Sequence, residues 1–155
     1  MKENREKINE IIELIAVHED TMGKLYFEFG KLYPGSKSFW NKISTEEKLH
    51  GKWVRVLHKK IKNVEKLPAI KLNMTQGIIN SINHLEEQIK LYRISKFPET
   101  DAARMALELE KFLLEDKMLN LFRGITEEFD KVIDLLSEKT DEHIEKIELF
   151  YKLGK

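Results

Sequence analysis

Apolar residues in this chain recur at three- and four-residue steps over long stretches, and nowhere do apolar and polar residues alternate as they do in a half-buried strand. Ile8, Ile11, Ile12, Ile15, Met22, Leu25, Tyr26 and Phe29 predict a first helix over residues 3–32, stopped by Tyr33-Pro34-Gly35-Ser36. Trp40, Ile43, Leu49, Trp53, Val56 and Leu57 predict a second over 38–64, closed by Leu67-Pro68. A third starts near Pro98-Glu99-Thr100-Asp101, where Thr100 or Asp101 can accept the free amide hydrogens of the first turn, and runs to Arg123-Gly124. Thr126, with Glu127 and Glu128 behind it, starts a fourth that reaches nearly to the C terminus.

More than thirty residues separate the second helix from the third, and within them Ile78, Ile79, Ile82, Leu85, Ile89 and Tyr92 make residues 75–94 helical in pattern. Antiparallel neighbours need only a short loop, whereas a helix of this length travels about 30 Å, the length of a bundle. The expectation is therefore an all-α single domain, 1–155, in which two helical hairpins are joined by a long helical crossover rather than winding simply up and down.

Composition narrows the chemistry. Lys plus Arg equals Asp plus Glu at 27 each, so no overall field favours nucleic acid or an anionic membrane. Cysteine is absent, which excludes disulfides, thiol catalysis and iron–sulfur ligation and leaves His and carboxylate as the strong metal ligands. The chain opens Met-Lys-Glu-Asn-Arg-Glu and never runs 18 apolar residues together, so a cytoplasmic protein without signal peptide or membrane span is expected.

Ile43-Ser44-Thr45-Glu46-Glu47-Lys48-Leu49-His50 has a partial echo in Leu136-Ser137-Glu138-Lys139-Thr140-Asp141-Glu142-His143. The first copy sets Glu47 three residues before His50, on one helical face, where the two make a metal-ligand pair. In the second copy Thr140 occupies the Glu position. The preceding helices echo each other too: Glu19-Asp20-Thr21-Met22-Gly23-Lys24-Leu25-Tyr26 aligns with Glu115-Asp116-Lys117-Met118-Leu119-Asn120-Leu121-Phe122. Glu19 lies among Ile12, Ile15, Ala16, Met22 and Tyr26 at helical spacing, and Glu115 lies between Phe112 and Met118, Leu119 and Phe122. A carboxylate in such a stripe costs several kcal/mol unless it is paired, protonated or bound to metal.

On these residues the chain resembles the ferritin-like diiron-carboxylate superfamily, specifically its rubrerythrin-like branch, over essentially its whole length. The family pattern is a Glu on helices one and three and a Glu-x-x-His on helices two and four; the sequence matches at Glu19, Glu47, His50, Glu115 and His143 and departs at Thr140. The resemblance implies a ferritin-like four-helix bundle, one or two iron or manganese ions, reaction with dioxygen or hydrogen peroxide, and Tyr26 close to the first carboxylate. It also implies an external electron-donor protein, since the cysteine-rich rubredoxin module is absent, and bundles of this kind often form homodimers. Two divalent ions bring four positive charges against the three carboxylates Glu19, Glu47 and Glu115, so the second ion should bind less tightly.

Helix three offers a competing ligand. Glu110 stands between Ala106, Leu107 and Leu113, Leu114, and its spacing of 30 to Thr140 is nearer than 25 from Glu115 to the 28 between Glu19 and Glu47. Five helical residues turn the two by about 140°, so only one faces the site; the closer match of its flanks favours Glu115. His18 should be solvated, about 100° round the helix from Glu19. His58 and His84 have weaker claims, and the spacings of a hemerythrin-like all-His site are missing. Trp40, Trp53, Phe112 and Phe122 are expected in the core, and Lys59-Lys60-Ile61-Lys62 reads as a solvated helix end that could dock an acidic electron-transfer partner. Two functional classes remain: a peroxidase or ferroxidase, and a non-catalytic bundle whose site is eroded at Thr140 and which acts in assembly or ligand binding.

Overall fold

The structure is a computed structural model that describes residues 2–69, 72–115, 120 and 122–153, with the side chains of residues 2, 3, 72, 73, 113–115 and 153 not described. Among the described residues the secondary structure is entirely helical: α1 (Lys2–Leu32), α2 (Lys37–Lys60), α3 (Leu72–Ile94), α4 (Glu99–Glu115) and α5 (Glu127–Leu153), with short 3-10 turns at Pro34–Ser36 and Ile61–Asn63. No described helix is long and apolar enough to cross a membrane. The helical starts and stops follow the sequence pattern closely, with two departures. Helix α4 begins at Glu99, and the Asp101 amide bonds the Pro98 carbonyl at 3.0 Å; Thr100 and Asp101 thus sit inside the first turn instead of capping it, because Pro98, which has no amide hydrogen to satisfy, already precedes the helix. The described part of α4 ends at Glu115, residues 116–119 and 121 lie outside those described, and Arg123 and Gly124, the expected helix end, lie in a turn.

The chain divides into two compact units, residues 1–95 and 96–155. In the first, α1 is the central helix. It packs on α2 along one side and on α3 along another, which is why Ile8, Ile11, Ile12, Ile15, Ala16, Met22, Leu25, Tyr26 and Phe29 are all buried. Helix α2 runs antiparallel to α1: Ser44 donates to the Gly23 carbonyl at 2.6 Å, Arg55 reaches Asp20 at 2.7 Å, and Arg5 donates to the carbonyls of Ile61 and Val64 beyond the end of α2. Helix α3 returns parallel to α1, as His18 meets Ser81 at 2.7 Å and Glu28 meets Arg93 at 3.1 Å. An edge-on ring contact of Phe29 with Tyr92 at 4.9 Å closes the same end, next to Tyr26 and Trp40. The connecting helix therefore does carry the chain back along the length of its neighbour.

Two glycines set how closely α1 and α2 approach. A β-carbon on Gly23 would stand 3.1 Å from the Ser44 carbonyl oxygen, and one on Gly51 would collide with the Asp20 carboxylate and lie 3.4 Å from the Ala16 carbonyl. These positions bracket Glu19, so bare backbone is what lets facing side chains of the two helices meet there.

The second unit is an antiparallel hairpin of α4 and α5. Its pairing runs from Arg104 with Tyr151 at 2.7 Å, through Glu110 with His143 at 3.4 Å. The turn is tied by Arg123 to Asp134 at 2.6 Å, by the Gly124 amide to Asp130 at 2.9 Å and by the Thr126 hydroxyl capping the Phe129 amide at 3.1 Å. Gly124 has φ 86, a left-handed value that suits glycine. Ala102, Ala103 and Ala106 keep the buried face of α4 shallow, and Phe129, Ile133, Leu136, Thr140, His143 and Ile147 form the buried stripe of α5.

The packing predicts opposite responses at two helical glycines. Gly77 on α3 has open space where a β-carbon would go, so Gly77→Ala should gain about 0.8–1 kcal/mol of helix propensity, a Tm rise of about 2–4 °C. Gly23→Ala should fall at least about 1 kcal/mol behind it in the same thermal melts, because its methyl must push the Ser44 carbonyl away; equal gains in the two variants would contradict the close approach.

Candidate metal centre

Glu19 on α1 and Glu47 and His50 on α2 form a buried cluster. The three come together for reasons visible in the helices: Glu47 and His50 are three residues apart on the inward face of α2, and the Gly23 and Gly51 contacts bring that face against Glu19. His50 Nδ1 stands 3.5 Å from a carboxylate oxygen of Glu19 and 3.5 Å from one of Glu47. Both spacings are longer than a normal N–H···O bond of about 2.7–3.2 Å. They are close to the separation of two donors sharing one ion: with ligand bonds of about 2.1 Å, donor atoms stand roughly 3.0–3.4 Å apart. Two carboxylates and an imidazole are also a donor set that iron, manganese and zinc accept.

Burial drives the Glu19 carboxyl upward, but its polar contacts with Glu47 and His50, together with the charges of His50 and His18, outweigh it and hold Glu19 below the ordinary value of 4.5.

The second unit places His143 Nδ1 3.4 Å from a Glu110 carboxylate oxygen, both residues buried. Glu110, the candidate with the less similar flanks, is thus the carboxylate beside His143; the Glu115 side chain lies outside the described residues. The useful signal was separation. Glu110 precedes His143 by 33 residues and Glu19 precedes His50 by 31, whereas Glu115 precedes His143 by 28. Thr140 is buried one turn before His143, and its hydroxyl donates to the Leu136 carbonyl at 2.8 Å. Its proton is spent on its own helix, as is common for buried Thr.

Other predicted residues are distributed as follows. Tyr26 is fully buried, but seven residues along α1 carry it about 10 Å from Glu19, and its ring packs with Phe29 and Trp40. His18 is a correction: it is fully buried rather than solvated, and Nε2 pairs with Ser81 on α3. With α2 and α3 packed on different sides of α1, the face 100° from Glu19 is interior too. Trp53 is also corrected, half-buried instead of core, with its ring stacked on His50 at 5.4 Å. His58 lies 3.4 Å from Glu13 beside Arg55, and His84 is exposed.

No protein-family model matches the chain, and neither a curated protein nor a solved structure does.

The depressed Glu19 carboxyl has a direct consequence for acid stability. The folded chain binds fewer protons there than the unfolded chain, so the stabilisation is complete above 4.5 and is lost as pH falls through the lower folded value. Thermal melts of metal-free protein between about pH 7 and about pH 3 should show Tm falling on the acid side, with a shallower fall in Glu19→Gln. An identical slope in the two proteins would contradict the assignment.

Proposed function

We propose that the chain is a rubrerythrin-like metalloprotein, in which the α1–α2 and α4–α5 hairpins pair as a ferritin-like four-helix bundle around one or two transition-metal ions. Glu19, Glu47 and His50 would hold the first ion, and Glu110 and His143 would supply the ligands of the second half. The observation that carries this reading is the convergence of two buried carboxylates on His50 Nδ1, each at 3.5 Å, in a place where an uncompensated carboxylate is costly. A bound iron or manganese ion would supply the one-electron chemistry of a peroxidase or ferroxidase acting on hydrogen peroxide or dioxygen. The protein's own part is to fix the ligands on rigid helices and to keep bulk water out.

Thr140 bears on how many ions are held. With its hydroxyl committed to Leu136, the second half offers one carboxylate and one imidazole, and three carboxylates face the four charges of two divalent ions. That observation favours a weak or water-completed second site. It is also what supports the alternative, a non-catalytic bundle with an eroded or mononuclear centre acting in assembly or ligand binding.

Metal analysis tests the reading first. Protein purified without chelator and supplied with Fe(II) or Mn(II) should retain about one ion per chain and release protons on binding, whereas fewer than about 0.2 equivalents would reject it. His50→Ala should lower affinity by more than the ~10–100-fold typical of changes outside the ligand shell. Glu110→Ala should weaken the second ion selectively, and Thr140→Glu should tighten it. Fe(II) oxidation under oxygen or peroxide then separates the oxidoreductase from the non-catalytic bundle.

A further inference from the structure

The outward face of α2 combines features that the metal cluster does not use. Leu49 and Val56 are 43% and 45% exposed, and with half-buried Trp53 they fall within about 60° of one another round the helix. Lys42, Lys48, Lys52, Lys59 and Lys60 are exposed around that stripe, and half-buried Glu46 is the acidic side chain among them. The Trp53 ring stacks on His50 with centroids 5.4 Å apart and planes inclined by 30°, and His50 Nδ1 in turn lies 3.5 Å from both Glu19 and Glu47. One aromatic residue thus links a basic, apolar-centred surface to the buried ligands.

We propose that this face docks an acidic one-electron carrier protein and that the Trp53–His50 stack is where the electron enters. This rests on the metal-centre reading above. Leu49 and Val56 supply the dry centre of a small interface, the lysines its charge-complementary rim, and Trp53 an aromatic contact of the kind such centres favour. The step would balance for an iron–sulfur carrier: its reduced [2Fe–2S] cluster would give up one electron, a ferric ion held by Glu19, Glu47 and His50 would take it up, and no covalent bond would form or break. Two other occupants compete for a basic surface. An anionic membrane asks for a broader apolar face than three side chains give, and a second copy could offer the exposed Glu127, Asp134, Glu138 and Glu145 of α5. Neither accounts for an aromatic ring bridging the surface to a buried ligand.

The experiment uses the full iron-loaded chain and a reduced plant-type [2Fe–2S] ferredoxin. Calorimetry should show saturable binding, in metal-free protein as well, that weakens at least about 10-fold between about 50 and 500 mM salt. The pair Lys52→Glu and Lys60→Glu should weaken it at least about 10-fold and leave iron stoichiometry unchanged. In stopped flow at saturating ferredoxin, which removes any loss of affinity from the comparison, Trp53→Leu should slow reduction of the ferric protein at least about 10-fold. Trp53→Phe should restore most of the rate, and reduction by dithionite should be alike in all variants, which a merely structural role would not give.

Absence of ferredoxin binding at low salt, binding indifferent to the charge reversal, or a Trp53→Leu rate equal to that of the parent would overturn the proposal. So would binding to vesicles of phosphatidylserine but not of phosphatidylcholine, or self-association in ultracentrifugation, that the charge reversal abolishes. A chain that takes up no iron fails the metal-centre reading, and this one with it, before ferredoxin is added; an iron-loaded chain that ferredoxin does not bind fails this one alone.

Discussion

Two carboxyl groups and an imidazole buried between α1 and α2 constrain everything around them. Carboxylates in a medium of low dielectric repel each other, and positive charge close by offsets that cost. That constraint fixes the helices as much as the helices fix the acids. If α1 and α2 drifted apart by an ångström, water would enter and the ions would be solvated singly. Gly23 and Gly51 prevent this by removing the β-carbons that would hold the backbones apart, and Ser44 locks the approach with its bond to the Gly23 carbonyl. The aromatic cluster of Tyr26, Phe29, Trp40 and Tyr92 then anchors one end of α1, while Arg5 ties the other to the chain beyond α2.

The second hairpin repeats the device with less charge. Glu110 and His143 meet as Glu19 and His50 do, but Thr140 replaces the acid that Glu47 provides, and its hydroxyl satisfies itself locally. A buried neutral group with its bond made imposes no demand for a cation. The two hairpins therefore differ in the charge they bury: two acids beside His50 in the first, one beside His143 in the second. This asymmetry would make any pair of ions unequal in affinity.

How much of this could be seen in the sequence follows from what each signal measures. Apolar periodicity reports which face of a helix is dry, so the five helices and the inward place of Glu19, Glu47, His50 and His143 were readable. Likeness between flanking residues reports something else. It favoured Glu115, yet the carboxylate that meets His143 is set by the register of α4 against α5, which the separation of 33 residues expressed and the flanks did not. His18 was misjudged because periodicity cannot count neighbours: a helix with one partner has one dry face, and α1 has two. Trp53 was taken for core because a large aromatic at helical spacing usually is, whereas here it covers His50 from outside.

Overall neutrality also concealed an arrangement. The 27 basic and 27 acidic residues divide unevenly, with 17 Lys and Arg against 12 Asp and Glu in residues 1–95, and 10 against 15 in residues 96–155. Surface charges are screened beyond about 8–10 Å at physiological salt, so a partner feels the patch it meets and not the sum. On α2 that patch carries five exposed lysines around Leu49 and Val56, and in the same helix the opposite face carries Glu47 and His50. A single helix thus turns one side toward a buried anionic cluster and the other toward solvent as a basic one, with Trp53 at the boundary. The residues that would seat a cation and those that would attract an anionic protein are then about one side chain apart, which is the shortest route a helix can offer between surface and interior.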